Sequence, residues 1–488
     1  MMVGALILTI AAAPALAVIG CMAARRPRAA EALNLIASAV SFACAVPLPF
    51  LINGQQLQFW NDYIMIDRMS AWVVLCTSIV YFLASIYAVG YMRLLNEDKR
   101  LCTFYALFAG FGLTTLIGPL MNSVGIYWIA IELTTLVSTF LIAFERVAES
   151  MEAAWKYIMV VSAGISLALL GTILFYWGGS FVLGPSYKMT WATLTDAAPQ
   201  MNPALLKLAF LLVLVGYGTK VGLAPMHSWL PDAHSESPAP VSAMLSGALL
   251  NTAMIGIVRF LGVTKAANLG WLPQCTLVAF GIVSLFLGAL FIVRQQGIKR
   301  LMAYSSIEHM GVVALGFGFG GALGVAGALY HMLNHSLNKS LMFFGAGIMM
   351  RAYGTKEIAL IHGVGCRFPT EGALWLAGAI AITGAPPFGL FLSEFTIMRA
   401  GLKPPFSWAV YVMAILLIVI FIGFMNHFRA MYYQSTQSEE SKGDRLSGWC
   451  VAPMWLSLIP LLVLGLWWPT HVWDYLASIA QSLNLEPQ

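Results

Sequence analysis

An all-α polytopic membrane protein is what this sequence predicts, with about 14 transmembrane helices, among them two inverted five-helix repeats that each contain a broken helix. Three observations carry that expectation. Of the 488 residues 60% are hydrophobic and only 10% charged, too little polar surface to cover a soluble globule. Apolar runs long enough to cross a hydrocarbon core of about 30 Å recur from the first residues almost to the last. Two of the runs are interrupted, at Ala224-Pro225 and at Gly384-Ala385-Pro386-Pro387, and paired interruptions in two halves are the sequence sign of an inverted-repeat transporter.

The expected organisation places helices one to three in residues 1–100, a first repeat of helices four to eight in 101–265, and a second repeat of helices nine to thirteen in 266–435. A polar loop and helix fourteen fill 436–488. The first run lacks the basic flank of a secretory signal and is read as a retained helix. The seven cysteines are scattered with no CxxC pair, so no metal cluster, disulfide framework or redox centre is expected in this chain. In this assignment the odd connections carry 17 Lys and Arg residues, Lys99, Lys299, Lys442 and Arg445 among them, and the even ones carry 7, Arg259 among them. The positive-inside rule then puts the odd loops in the cytoplasm and both termini outside. No basic patch suggests nucleic acid; the bilayer is the expected surrounding.

Helices one to three are almost free of ionisable residues and read as packing elements. Helix five carries an isolated Glu132. Lys156 stands at the mouth of helix six, where it either snorkels to the interface or takes part in a proton path. Helix seven holds Lys220 just before the Pro225 break, and a lysine at bilayer depth costs roughly 2.5–3.5 kcal/mol on insertion scales, which marks it as functional. Beyond the break lie His227 and a cytoplasmic loop, Asp232 to Pro240, whose two acids and His234 could form a proton entrance. Helix eight offers Asn251, which cannot carry a proton as a charge and is expected to hold a water in line, so that Asn251→Lys would be tolerated.

Helix ten brings Glu308 and His309, adjacent and therefore expected on different faces, with only one of them lining a shared path. Helix eleven sets His331, Asn334, His335, Asn338 and Lys339 at i, i+3, i+4, i+7 and i+8, five hydrogen-bonding groups on one face. The His331–His335 spacing also suits a metal, but no neighbouring acid of the HExxH type completes a site, and histidine-bridged proton transfer is the preferred reading. Helix twelve breaks at Pro386-Pro387, with Glu394 about two turns further on. Helix fourteen is expected over about 449–473, followed by a short tail.

The stretches GYGTKVGLAPMHSWLPDAHSESPAPVSAMLSG, KRLMAYSSIEHMG, HMLNHSLNKSLMFF and GAPPFGLFLSEF resemble, in that order, the proton-translocating antiporter-like subunits shared by respiratory complex I, Mrp antiporters and energy-converting nickel–iron hydrogenases. SSIEHMG and ALLNTA are most similar to component F of hydrogenase-4. The resemblance implies that Glu132 and Lys220 form a gating ion pair and that Lys339 with His331 and His335 relays protons along the central axis. It implies that Glu394 is the exit group. Asn251 departs from the pattern, since many relatives have lysine or histidine there.

The resemblance further implies a multi-subunit complex whose peripheral hydrogenase-type arm holds the nickel–iron centre and iron–sulfur clusters, with none in this chain. A Mrp-type sodium/proton antiporter subunit, an NADH-quinone oxidoreductase subunit and a non-conducting scaffold are the alternatives. No long lateral helix of the kind some relatives use to brace their neighbours is expected after helix fourteen.

Overall fold

The computed structural model describes residues 2–52, 54, 56–95, 100–433 and 447–483, so Lys99, Lys442, Arg445 and most of the polar loop before helix fourteen lie outside the described residues. Among those described, 11 helices are long and apolar enough to cross a membrane. In chain order α1 spans Met2–Ala23, α2 Pro27–Ala45, α3 Arg68–Tyr91, α4 Leu101–Ile117, α5 Val124–Ile142 and α6 Ala148–Leu183. A two-stranded hairpin, Leu57–Phe59 with Ile64–Ile66, lies between α2 and α3. Next come α7, Pro203–Val221, the short α8, Trp229–Glu236, and α9, Ala239–Ala266.

The second half contains α10, Trp271–Val293, α11, Ile298–Phe319, the 33-residue α12, Gly321–Tyr353, and the split pair α13, Pro369–Ile382, and α14, Gly389–Gly401. It closes with α15, Ser407–Tyr433, α16, Gly448–Leu466, and α17, Thr470–Ser482. Three segments expected to span fall outside the 11: α11 and α12, which carry polar groups mid-helix, and α13–α14, whose halves are each short.

Burial sorts the helices by role. The most hydropathic 18-residue stretch of α9 is wholly buried, whereas those of α1, α15 and α16 are a third buried or less and turn apolar faces outward. Helices α9, α11 and α12 therefore form the interior, and their polar residues face protein rather than lipid. That is where unpaired polar side chains are tolerated at membrane depth.

Both breaks are built by glycine. α7 stops at Val221 because Gly222 takes φ +79, and the amide of Leu223 closes the end on Gly218 O at 2.9 Å. The break thus begins three residues before Pro225. Its freed groups are met by neighbours: Trp229 Nε1 donates to Thr219 O at 2.8 Å, and the Ala224 amide donates to Ser284 Oγ of α10 at 2.9 Å. In the second break Gly384 takes φ +65, and a Cβ there would collide with Glu394 Oε2. The glycine makes room for the carboxylate.

Several expectations are corrected. Asp232 to Glu236 is helix rather than loop, and His234 is fully buried. Lys299 and Arg259, counted among loop cations, are 3% and 6% exposed inside helices. Lys299 donates to Ser237 O, while Arg259 forms a two-pronged ion pair with Asp67 at 3.0 and 3.1 Å. Helix fourteen ends at Leu466, and the expected tail contains α17, folded back so that Tyr475 donates to Arg68 O at 2.7 Å.

Candidate functional site: a buried polar axis

Lys220 lies in the last turn of α7, where the unpaired carbonyl end of the helix favours a cation. It has no solvent-exposed surface. Its Nζ does not pair with Glu132 directly. It donates to Thr135 Oγ1 and to Tyr157 Oη, both at 2.8 Å, and Thr135 in turn donates to Glu132 Oε2 at 3.3 Å. Glu132 is half-buried on the α6 side of α5 and accepts a second bond from Ser162 at 2.8 Å. Tyr157 is 2.7 Å from Ser138, whose own hydroxyl is spent on Thr134 O. The expected ion pair is therefore a hydroxyl-bridged pair, because Glu132 and Thr135, one turn apart on α5, bring their oxygens together between the helices.

Around the break, Lys156 is half-exposed and held by Glu152 at 2.7 Å and Asp232 at 3.1 Å; Arg300 also pairs with Asp232. That is a surface ion network tying α6, α8 and α11. His227 is partly buried beside Tyr304, and His234 stacks on Phe343 at 4.8 Å with neither ring nitrogen hydrogen-bonded among the described residues.

Asn251 follows a wider, π-type turn over Leu245–Leu249 within α9. Such turns free carbonyls and cluster at functional sites. Asn251 Nδ2 donates to Gly247 O at 3.0 Å and to Ser336 Oγ at 2.8 Å, and Ser336 also donates to Gly247 O at 2.7 Å. The amide hydrogens are committed directly, so the residue ties α9 to α12, while its Oδ1 has no hydrogen-bond partner among the described residues and is the atom left to meet the expected water. From the same turn Ser246 meets Ser306 at 2.8 Å, next in sequence to an acceptor of Lys339.

Lys339 Nζ donates to Met302 O at 3.0 Å and to Ser305 Oγ. One turn along α11 come Glu308 and His309, both buried. They do not point apart as expected: Glu308 Oε2 is 3.5 Å from His309 Nε2. On a helix enclosed on all sides, adjacent residues 100° apart can both face protein. His309 Nδ1 lies 3.0 Å from His331 Nε2 and 4.0 Å from Glu394 Oε1, and His331 Nδ1 is 2.9 Å from Ser393 Oγ. These residues come from α11, α12 and α14. The ring of His335 stands 5.5 Å from that of His309, its own nitrogens unpartnered among the described residues.

The polar face of α12 accordingly divides. His331, His335 and Lys339 turn to α11, whereas Asn334 bonds Tyr330 O within its own helix at 2.9 Å and Asn338 bonds Gly378 O of α13 at 2.9 Å. Thr135, Tyr157 and Ser393 went unseen in the sequence because single hydroxyls in apolar helices carry no spacing signal, and His309 was set aside by the adjacency argument. Among the described residues, His309, His331 and Glu394 place one ligand atom each within 4.8 Å of one another, close enough for a shared cation. Lys220, Glu132 and Lys339 each touch a hydroxyl able both to accept and to donate a proton, whereas the Glu308 and Glu394 carboxylates stand 3.5 and 4.0 Å from His309 without a hydrogen bond to it among the described residues.

Residues 122–423 match the family described as NADH:quinone oxidoreductase/Mrp antiporter, TM. The chain is 36% identical over 378 residues to a hydrogenase-4 component F homolog of Methylacidiphilum infernorum, covering 75% of this chain and 78% of that one. It is 29% identical over 354 residues to hydrogenase-4 component B of Escherichia coli, covering 69% of this chain and 51% of that protein, so it spans about half of component B. A chain of the Mrp complex from Dietzia superposes with a TM-score of 0.88 over 99% of this chain and 98% of that one, at 19% identity, which is a likeness of fold. The chain belongs to the NADH:quinone oxidoreductase/Mrp antiporter transmembrane family and is an antiporter-like membrane subunit.

Proposed function

We propose that this chain is a proton-translocating subunit of a multi-subunit energy-converting hydrogenase or formate hydrogenlyase-type complex in the plasma membrane, with both termini outside. Redox chemistry at a nickel–iron centre and iron–sulfur clusters in partner subunits, carried by a peripheral arm, drives proton movement here. The identity to a component F homolog over most of both chains supports the choice of complex.

The observation that carries the reading is the hydroxyl between Lys220 and Glu132. Thr135 accepts from the ammonium while donating to the carboxylate, so a proton can leave Lys220 and another reach Glu132 in one concerted step through a single oxygen. Desolvation disfavours charge on either group alone, and charging both together restores their attraction. The second cluster, Lys339 with Glu308, His309, His331 and Glu394, then receives or supplies the proton. Energy arrives by changing which state the chain favours, because this chain offers no redox group among the proposed relay residues.

The test is Lys220→Met in the native complex, with hydrogen chemistry and proton movement measured together. Proton movement abolished, with hydrogen chemistry slowed or uncoupled, is the expected result; unchanged proton movement refutes the reading. Purifying the tagged wild-type chain with its partners decides the complex, since small Mrp-like membrane proteins without redox subunits would replace the hydrogenase assignment.

A further inference from the structure

The contact between His309 and His331 poses a problem of hydrogens. Ser393 has one hydroxyl proton, and it is committed to Leu390 O at 2.8 Å. Toward His331 Nδ1, 2.9 Å away, the Ser393 oxygen therefore accepts, so Nδ1 carries the hydrogen and Nε2 presents a lone pair. That lone pair faces His309 Nδ1 at 3.0 Å. The other nitrogen of His309 lies 3.5 Å from Glu308 Oε2, an oxygen with no hydrogen-bond partner among the described residues. His309 Nδ1 then either donates its hydrogen to that lone pair of His331 or, in the other tautomer, presents a second lone pair to it. In the second tautomer the two lone pairs stand 3.0 Å apart, an arrangement that a cation between them completes. Glu394 Oε1, also without a partner among the described residues, stands 4.0 Å from the same Nδ1.

We propose that His309 Nδ1, His331 Nε2 and the Glu394 carboxylate form a binding site for a zinc-class divalent cation, which takes the place of the proton otherwise shared by the two imidazoles. Two imidazole nitrogens and one carboxylate with a fourth position open is a zinc donor set. The far nitrogen of His331 is held by Ser393 Oγ, which is how protein sites orient histidine ligands and fix their tautomers, and that of His309 faces the Glu308 carboxylate at 3.5 Å without a hydrogen bond among the described residues. The donors come from three helices and are enclosed, with His309 and His331 showing no exposed surface and Glu394 3%. Magnesium and calcium, which take oxygen ligands, are refused by the nitrogens. Bound cation and shared proton are mutually exclusive. The three donor atoms are brought together by their helices whether or not protons pass through them.

The purified full-length chain, stripped with chelator, is equilibrated with zinc chloride or with magnesium chloride and desalted; its metal content is measured, and the zinc environment is read by X-ray absorption. One zinc per chain with two imidazole neighbours, and no retained magnesium, is expected. His331→Ala and Glu394→Gln should lose the zinc, Ser393→Ala should weaken it about tenfold by freeing the ring, and His335→Ala, outside the ligand set, should keep it. Failure to retain zinc, or equal retention by the Glu394→Gln protein, overturns the assignment. Glu394→Gln preserves the side-chain volume, so it decides the matter even if His331→Ala does not fold. None of these readings involves proton transport, so a negative result leaves the proposed function standing.

Discussion

Lys220 and Glu132 are joined by one oxygen atom: Thr135 Oγ1 lies 2.8 Å from the ammonium nitrogen and 3.3 Å from the carboxylate. Thr135→Val keeps the shape and removes the bridge. It leaves Lys220 with Tyr157 as its remaining side-chain acceptor, at a cost of about 1–3 kcal/mol. If that cost falls on the transfer barrier, proton movement slows by about one to two decades. Thr135→Ser should restore it. Proton uptake by vesicles carrying each variant measures the effect; equal rates for the valine and wild-type proteins would count against the bridge.

Asp67 caps α3 through the Ser70 amide at 2.8 Å and holds the buried Arg259. Burial pushes its carboxyl up, but the guanidinium and the Ser70 bonds outweigh that and hold it below the usual carboxylate range. Its contribution to stability is therefore present above the unfolded value of about 3.9 and is lost as pH falls through the lower folded value. Asp67→Asn leaves Arg259 buried without its counter-charge and should destabilise by about 3–5 kcal/mol. Thermal unfolding in detergent at neutral pH, where the loss should be full, is the measurement.

Asn251→Lys should not be tolerated. The native amide is enclosed and ties Gly247 to Ser336, and a longer cation in its place meets no carboxylate in that contact. A penalty of roughly 2.5–3.5 kcal/mol is the scale for a charge at this depth. Yield of assembled protein after extraction is the readout, with Asn251→Gln as the milder comparison; full yield from the lysine variant would show room for it.

Gly384→Ala should act on Glu394 from the other side of the break. The residue sits at φ +65 and its missing Cβ is the space the carboxylate fills. Strain of about 1–2 kcal/mol accompanies the left-handed backbone, and the displaced carboxylate should slow proton movement as Glu394→Gln does. An alanine variant with wild-type transport would mean that Glu394 can move without consequence.

Most of the architecture was legible because bilayer depth forces long apolar runs and because glycine and proline announce breaks. Glu132, Lys220, Lys339 and Glu394 could be read for the same reason: an ionisable residue in such a run is costly enough to be noticed. What could not be read was the joinery. Thr135, Ser393 and Tyr157 are ordinary residues brought against Lys220 or His331 by which helix lies opposite. Lys299 and Arg259 were taken for loop charges because hydropathy places helix ends poorly when the end itself is buried. Glu308 and His309 show the limit of face arguments, which presume a helix with one wet side.

The unbroken α12 has a consequence for the proposed transport. A continuous α-helix keeps its residues at fixed spacing, so His331 and Lys339 are held about 12 Å apart along its axis. That rod is a stator. In the proposed transport the movable parts are then the broken pieces that face it, the end of α7 at Gly222 and the Gly384 joint between α13 and α14, which carry Lys220 and Glu394.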